Sequence, residues 1–346
     1  MALFDLPLDQ LETYRPQLRE PADLDAFWQS TLDEARVGPA LVDAVPVGTG
    51  LRLVDTWDVT FAGHGGHPVK AWFSRPAGSS STPLPAVVEY VGYGRGRGLP
   101  HERITWSAAG YAHLVMDTRG QGSQHGSGGG TADPVGSGPA APGFVTRGID
   151  DPSGYYFTRL VTDAVRAVDA VRGLPGVDPS RVVAAGNSQG GGLALAVAGL
   201  VPDLAALLTS VPFMCHVERA LAITDQQPYG EVVSYLAVHR EKVDQVLRTL
   251  SYVDGASLGR RATAPAHFGV ALRDTVCPPS TVFAAYNHYG RGPSATHDVP
   301  DGRAPLSAES EDLDTEICVY PFNHHEGGDA LHVRRQLDWL AERVPV

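Results

Sequence analysis

Arg181-Val182-Val183-Ala184-Ala185-Gly186-Asn187-Ser188-Gln189-Gly190-Gly191-Gly192-Leu193 passes from a continuous apolar run, through Gly-x-Ser-x-Gly, into a helical stretch that reaches Leu200. An unbroken apolar run of this length reads as a strand covered on both faces. The turn after it holds Ser188 at a sharp, exposed strand-to-helix corner. The glycines at 186 and 190 let neighbouring backbone approach closely there. Serine in water is a poor nucleophile, but the following helix points its N-terminal amides at any negative charge that develops beside Ser188. The plainer alternative is a glycine-rich turn with an incidental serine. Strand before and helix after favour the nucleophile.

The same alternation extends in both directions. Short apolar runs occur at Ala86 to Val91, Ala112 to Met116, Leu204 to Val211, Ala266 to Leu272 and Thr315 to Tyr320. Helical stretches lie at Glu102 to Ala109, Phe157 to Arg172, Pro279 to His288 and Asp329 to Arg343. Strand alternating with helix implies an α/β fold: a mostly parallel central sheet with helices on both faces. Upstream, residues 1–45 read as an N-terminal arm and a helix, with Leu24, Phe27, Trp28 and Leu32 at helical spacing and Asp23 as its N-cap. Leu51 to Phe61 and Pro68 to Phe73 read as an antiparallel edge hairpin. Gly120 to Gly143 has nine glycines in 24 residues and reads as a loop at a strand's C-terminal end, where such folds build sites. Residues 213–252 read as a helical, cap-like insertion, and residues 290–315 as a polar surface excursion. The whole of 1–346 is expected to form one domain.

Composition narrows the function. Of 346 residues, 43% are hydrophobic and 19% charged, which suits a globular chain. The net charge of -12 opposes nucleic-acid or anionic-membrane partners. No long apolar run or signal-peptide core is present, so a soluble, cytoplasmic protein is expected. Cys215, Cys277 and Cys318 are far apart and odd in number, with neither a disulfide framework nor metal-ligand spacing. No cofactor and no metal are expected.

A nucleophilic serine needs a base, and the base an orienting acid, in the chain order Ser, acid, His for this architecture. His324 and His325 follow the last strand; His332 lies inside the final helix. Asp274 sits in the turn after Ala266 to Leu272, with Asp254 and Asp314 as competitors by position. Position alone does not choose between His324 and His325. The oxyanion hole should use the Gln189 amide and one from the loop after Ala86 to Val91, where Tyr93 stands. Asp117-Thr118-Arg119-Gly120-Gln121-Gly122 follows another strand. Its Gly-x-Gly lacks the rest of a dinucleotide fingerprint, so it reads as a turn that shapes the site floor. His324-His325-Glu326 has adjacent histidines that cannot share a helical face, which weighs against a metal motif.

Three motifs in order then carry a resemblance: Arg119-Gly120-Gln121, Gly186-Asn187-Ser188-Gln189-Gly190 and His325-Glu326. With the opening Phe4 to Leu11, Gln227-Pro228-Tyr229 and the run Pro278 to His288, the chain resembles the acetyl xylan esterase / cephalosporin C deacetylase family, carbohydrate esterase family 7. The match runs from about Phe4 to Leu340. The resemblance implies an α/β-hydrolase fold and serine-dependent removal of acetyl groups from xylo-oligosaccharides, cephalosporin C and similar small esters. It places the nucleophile on Ser188, the acid on Asp274, the base on His325 rather than His324, and the oxyanion amides on Tyr93 and Gln189. Tyr93 and Pro228 are the expected pocket residues, and Glu326 a supporting one. It further implies a cytoplasmic homohexamer. Two departures stand out: Val91 where the family usually has histidine, and a longer 290–315 segment. A prolyl-oligopeptidase-type serine peptidase is the main alternative on such a fold, but the residues before Ala86 are too few for the propeller those enzymes carry. A catalytically silent binding protein of the same fold would typically lack a triad member, and all three are present.

Overall fold

The computed structural model describes residues 3–79, 82–293 and 313–346. Its strands are β1 (Leu41–Val47), β2 (Val54–Ala62), β3 (Pro68–Pro76), β4 (Leu84–Tyr90), β5 (Ala112–Met116), β6 (Val177–Asn187), β7 (Ala206–Ser210), β8 (Ala266–Ala271) and β9 (Thr315–Tyr320). The helices are α1 (Leu8–Leu11), α2 (Leu24–Ala35), α3 (Thr105–Ala108), α4 (Tyr156–Arg172), α5 (Gln189–Leu200), α6 (Val217–Ile223), α7 (Tyr229–Val238), α8 (Val243–Ser251), α9 (Gly255–Leu258), α10 (Pro279–His288) and α11 (Asp329–Arg343).

The strands form one sheet in the order β1-β2-β3-β5-β4-β6-β7-β8-β9. β1, β2 and β3 pair antiparallel, and β3 meets β5 antiparallel. From β5 through β4 to β9 every pairing is parallel. The apolar runs of the inner strands are continuous because both faces are covered, and alternate residues serve different layers, whereas β9 at the far edge carries the exposed Glu316. Val87, Val183, Ala185 and Leu208 pack with Trp106, Tyr111, Trp339 and Leu340, from the α3 and α11 side. Val88, Val182, Ala184 and Leu207 face the larger core that includes α4 and α5. A one-residue register slip in β6 would exchange these two sets.

The expected α/β-hydrolase fold is present, with local differences. The antiparallel edge has a further strand, β1, which begins inside the segment read as arm and helix. Its residues are half-buried or exposed and include Pro46, so it lacks an apolar signature, and a proline is tolerated only at an edge. Asp23 stands before α2 but makes no side-chain cap bond; its Oδ1 instead accepts from the Tyr252 hydroxyl (2.6 Å). The helix expected over Glu102 to Ala109 is confined to α3. Residues 290–315 lie outside the described residues except at their two ends. The 213–252 stretch contains α6, α7 and α8 between β7 and β8.

Candidate active site

Ser188 links β6 to α5 with φ 57° and ψ −121°, a backbone conformation that L-residues seldom adopt. Its surroundings explain the flanking glycines. A Cβ at 186 would fall 2.2 Å from the Gly190 carbonyl carbon, and one at 190 would fall 2.0 Å from the Tyr90 carbonyl oxygen. The corner is held by hydrogen bonds: Ser188 N donates to the Ser210 carbonyl, and the Ser188 carbonyl accepts from Phe213 N, each at 3.0 Å.

The Ser188 Oγ lies 2.9 Å from His325 Nε2, and His325 Nδ1 lies 2.8 Å from Asp274 Oδ2. Asp274 is fully buried, and its Oδ1 accepts from the amides of Val276 (2.8 Å) and Cys277 (2.9 Å). That fixes the carboxylate's orientation. The imidazole therefore donates from Nδ1 to Asp274, and Nε2 accepts from the serine hydroxyl.

The competitors are engaged elsewhere. Asp254 caps α9 through Ala256 N (2.9 Å) and accepts from His216 N and Val217 N, both at 2.9 Å. Asp314 pairs with Arg343 at 2.7 Å. The exposed His324 donates from Nδ1 to the Arg273 carbonyl (3.0 Å). His332 is buried in α11 and pairs with the Tyr320 hydroxyl (3.0 Å). Glu326 accepts from Asn323 Nδ2 (2.9 Å) and His324 N (3.1 Å), bracing the turn that carries His325.

Tyr93 and Gln189 meet through the Arg-Gly-Gln turn. Gln121 Oε1 accepts from Gly94 N (2.6 Å), and its Nε2 donates to Gln189 Oε1 (2.9 Å) and the Tyr156 hydroxyl (3.0 Å). Gln189 Nε2 in turn donates to the Val91 carbonyl (3.3 Å). The loop after β4 and the start of α5 are thus locked together by two side-chain amides. Arg119 stands beneath them, fully buried, donating from Nη2 to Asp163 (2.7 Å) and pairing with Asp133 at 3.3 Å. Burial works against its charge, but Asp163 and Asp133 more than offset this and hold it above the ordinary arginine range. Gly120 takes φ 69°. Asp117 pins the glycine-rich loop by accepting from Gly130 N (2.6 Å) and Thr131 N (2.9 Å).

Two contributors were not singled out from sequence. Glu231 of α7 is buried, accepts from the Tyr93 hydroxyl, and accepts from Val145 N (2.9 Å); Phe144 N donates to the same Tyr93 hydroxyl (2.7 Å). Burial pushes the Glu231 carboxyl up, against the hydrogen bonds that lower it. Burial also raises the Tyr93 phenol, and Glu231 adds to the effect. Cys277 is fully buried beside Asp274 and His325, and burial pushes its thiol well up. Glu231 has no motif around it, and Cys277 looks like a core residue. Pro228 is buried immediately before α7. On the α3 and α11 side, a polar cavity of about 430 Å³ is bounded by Glu89, Arg103, Asn187, Ser210, Glu326 and Gln336. It flanks the turn of His325.

This sheet order, with a serine at a strained strand-to-helix corner and an imidazole and carboxylate in line behind it, is that of an α/β-hydrolase. Within that class, the chain belongs to the acetyl xylan esterase family, whose model (AXE1) matches residues 1–295. It is 34% identical to an acetyl xylan esterase from Paenibacillus sp. R4, with 98% of this chain and 100% of that one covered at a TM-score of 0.86. It is 30% identical to acetyl xylan esterase 1 from Thermoanaerobacterium sp. JW/SL YS485, covering 97% and 99% at a TM-score of 0.81. It is also 27% identical over 286 residues to the acetyl esterase Axe7A of Xylanibacter ruminicola. That alignment takes in 80% of this chain and 62% of the curated relative's length. Among the described residues, no helix is long and apolar enough to cross a membrane.

Proposed function

We propose that the chain is a serine esterase that removes acetyl groups from acetylated xylo-oligosaccharides and related small esters, cephalosporin C among them. The observation that carries this reading is the hydrogen-bonded line Ser188–His325–Asp274. Ser188 Oγ attacks the acetyl carbonyl while its proton passes to His325 Nε2. Asp274 keeps the ring in the working tautomer and stabilises the imidazolium. The Tyr93 and Gln189 amides hold the oxyanion, each worth roughly 3–4 kcal/mol in a comparable site. The tetrahedral intermediate collapses, the sugar hydroxyl leaves with the proton from His325, and the acetyl group remains on Ser188. Water, deprotonated by His325, then releases acetate.

Family membership and the likeness to two acetyl xylan esterases across nearly the full chain support the acetyl preference. Cytoplasmic location and a hexamer rest on family resemblance, and a sizing column checks the second. The activity test is a panel of acetylated xylo-oligosaccharides, cephalosporin C, p-nitrophenyl esters of increasing chain length and a peptidyl amide. Acetyl esters should turn over fastest. The decline with chain length should be graded, because one methylene is worth about 1–3 kcal/mol. Ser188→Ala should lower kcat by at least about 10³-fold and abolish labelling by a fluorophosphonate. Near-normal turnover by that variant, or faster cleavage of octanoyl esters or of the amide, overturns the reading.

A further inference from the structure

Away from the catalytic end, β8 and β9 bring three unlike ligating side chains together. His267 and Glu316 are partners in the parallel register, and Cys318 lies two residues beyond Glu316. All three therefore project from one side of the sheet, the side on which the His267 ring meets Trp339 of α11. His267 Nε2 lies 3.5 Å from Cys318 Sγ and 3.9 Å from Glu316 Oε1, and the sulfur lies 3.9 Å from that oxygen. Nitrogen, sulfur and oxygen donors at ordinary zinc bond lengths in a tetrahedron stand about 3.4–3.6 Å apart. A shift of under about half an ångström, by a carboxylate side chain that is 54% exposed, closes the triangle.

We propose that His267, Glu316 and Cys318 bind a zinc-class divalent cation, with a fourth position open on the solvent side of Glu316. The donor set selects the metal: an imidazole, a thiolate and a carboxylate suit a borderline ion and are poor company for magnesium or calcium. Thiolate and carboxylate together balance the two positive charges. The Cys318 thiol loses its proton to solvent as the sulfur–metal bond forms. Ligation also gives His267 Nε2, which otherwise has only the weak thiol contact and a distant carboxylate, a proper partner, and it puts the ring's proton on the buried Nδ1. The exposed Arg335 guanidinium flanks the sulfur and opposes the ion, but it sits on the α11 surface, where displacement is cheap. The site is remote from Ser188 in the chain, yet it joins the two strands whose C-terminal turns deliver Asp274 and His325. Occupancy would clamp β8 to β9. Ligand spacing gave no hint of it, because His267 and Glu316 are neighbours only across the ladder.

The whole chain, freed of metal by a chelator, is titrated with cobalt(II) and then zinc(II). One cobalt should bind with a thiolate-to-metal absorption band in the near ultraviolet, zinc should displace it, and zinc should raise the melting temperature. Cys318→Ser should abolish the band. Glu316→Gln, at a half-exposed position that does not endanger folding, should weaken zinc binding about tenfold or more. No thiolate band in the wild-type chain overturns the proposal. So does unchanged binding in either variant; a band that survives Cys318→Ser would place the ion instead at Cys277, beside Asp274 and His325. If Cys318→Ser does not fold, Glu316→Gln decides alone.

Discussion

At Ser188 a strained backbone is maintained because everything around it is close-packed: Gly190 against the Tyr90 carbonyl, and Ser188 N and O bonded to Ser210 and Phe213. Gly190→Ala should therefore act on stability and activity together. The added methyl collides with backbone rather than with a side chain that can move, so a loss of about 1–3 kcal/mol is expected in denaturant unfolding, with esterase activity falling in parallel. An alanine variant as stable as wild type would contradict the observed contact. Asp274 invites a cleaner substitution. Asn offers nearly the same shape but no charge, and its amide nitrogen cannot accept from His325 Nδ1. Asp274→Asn should fold normally while kcat drops by about 10³–10⁴-fold, because the ring is no longer held in the tautomer that can accept from Ser188. Steady-state kinetics would expose a spectator role as a loss of less than tenfold.

Helix α7 reaches the loop after β4 through Glu231. Glu231 ties the Tyr93 hydroxyl and Val145 N to the insertion, so the loop after β4 is braced from above by α7 and from below by Gln121. Glu231→Ala should leave Val145 N and the Tyr93 hydroxyl without their acceptor, at about 1–3 kcal/mol for each group left buried and unpaired. Loosening of the Tyr93 amide, the proposed oxyanion donor, should lower kcat on the order of tenfold while KM changes little, since such a donor matters most where charge develops. If Glu231→Ala raises KM and spares kcat, the glutamate shapes binding and not the oxyanion loop. Gln121→Ala tests the lower brace in the same way.

The N-terminal arm is bound to the body through α10. Asn287 Nδ2 donates to the carbonyls of Leu11 (3.0 Å) and Tyr14 (2.9 Å), and His288 bridges Pro16 and Arg260. His288 Nε2 donates to the Pro16 carbonyl, so Nδ1 must accept from the Arg260 guanidinium; a second proton would face a cation. Burial first, and Arg260, Arg15 and Arg291 with it, push this imidazole down to about 4 from 6.5, against the Pro16 carbonyl. The unfolded chain takes up the proton from about 6.5 downward while the folded chain resists it until about 4. The associated stability is complete above 6.5 and disappears as pH falls through that window, roughly 3 kcal/mol in all. Denaturant unfolding at pH 7.5 and 4.5 should show the loss, and His288→Gln should remove its share while buried His332, pushed down to about 3, keeps the rest of the slope. A wild-type chain equally stable at both values would contradict the burial of a neutral ring.

Much of this molecule was legible in one dimension because its signals are local. Continuous apolar runs marked β4 to β9, and Gly-x-Ser-x-Gly between strand and helix marked Ser188, since periodicity and turn chemistry depend on near neighbours. The α/β-hydrolase architecture followed from that alternation, and the order of motifs led to the acetyl xylan esterase family. Other features arise only when distant segments meet. β1 shows no apolar pattern because an edge strand buries little. Position could not separate His324 from His325 or Asp274 from its rivals, because the choice depends on which ring turns toward Ser188. Glu231 and the His267–Glu316–Cys318 cluster have no linear signature at all: a hydrogen bond or a ligand triangle is set by side-chain distances across a ladder or an insertion, and the folded chain alone supplies those distances.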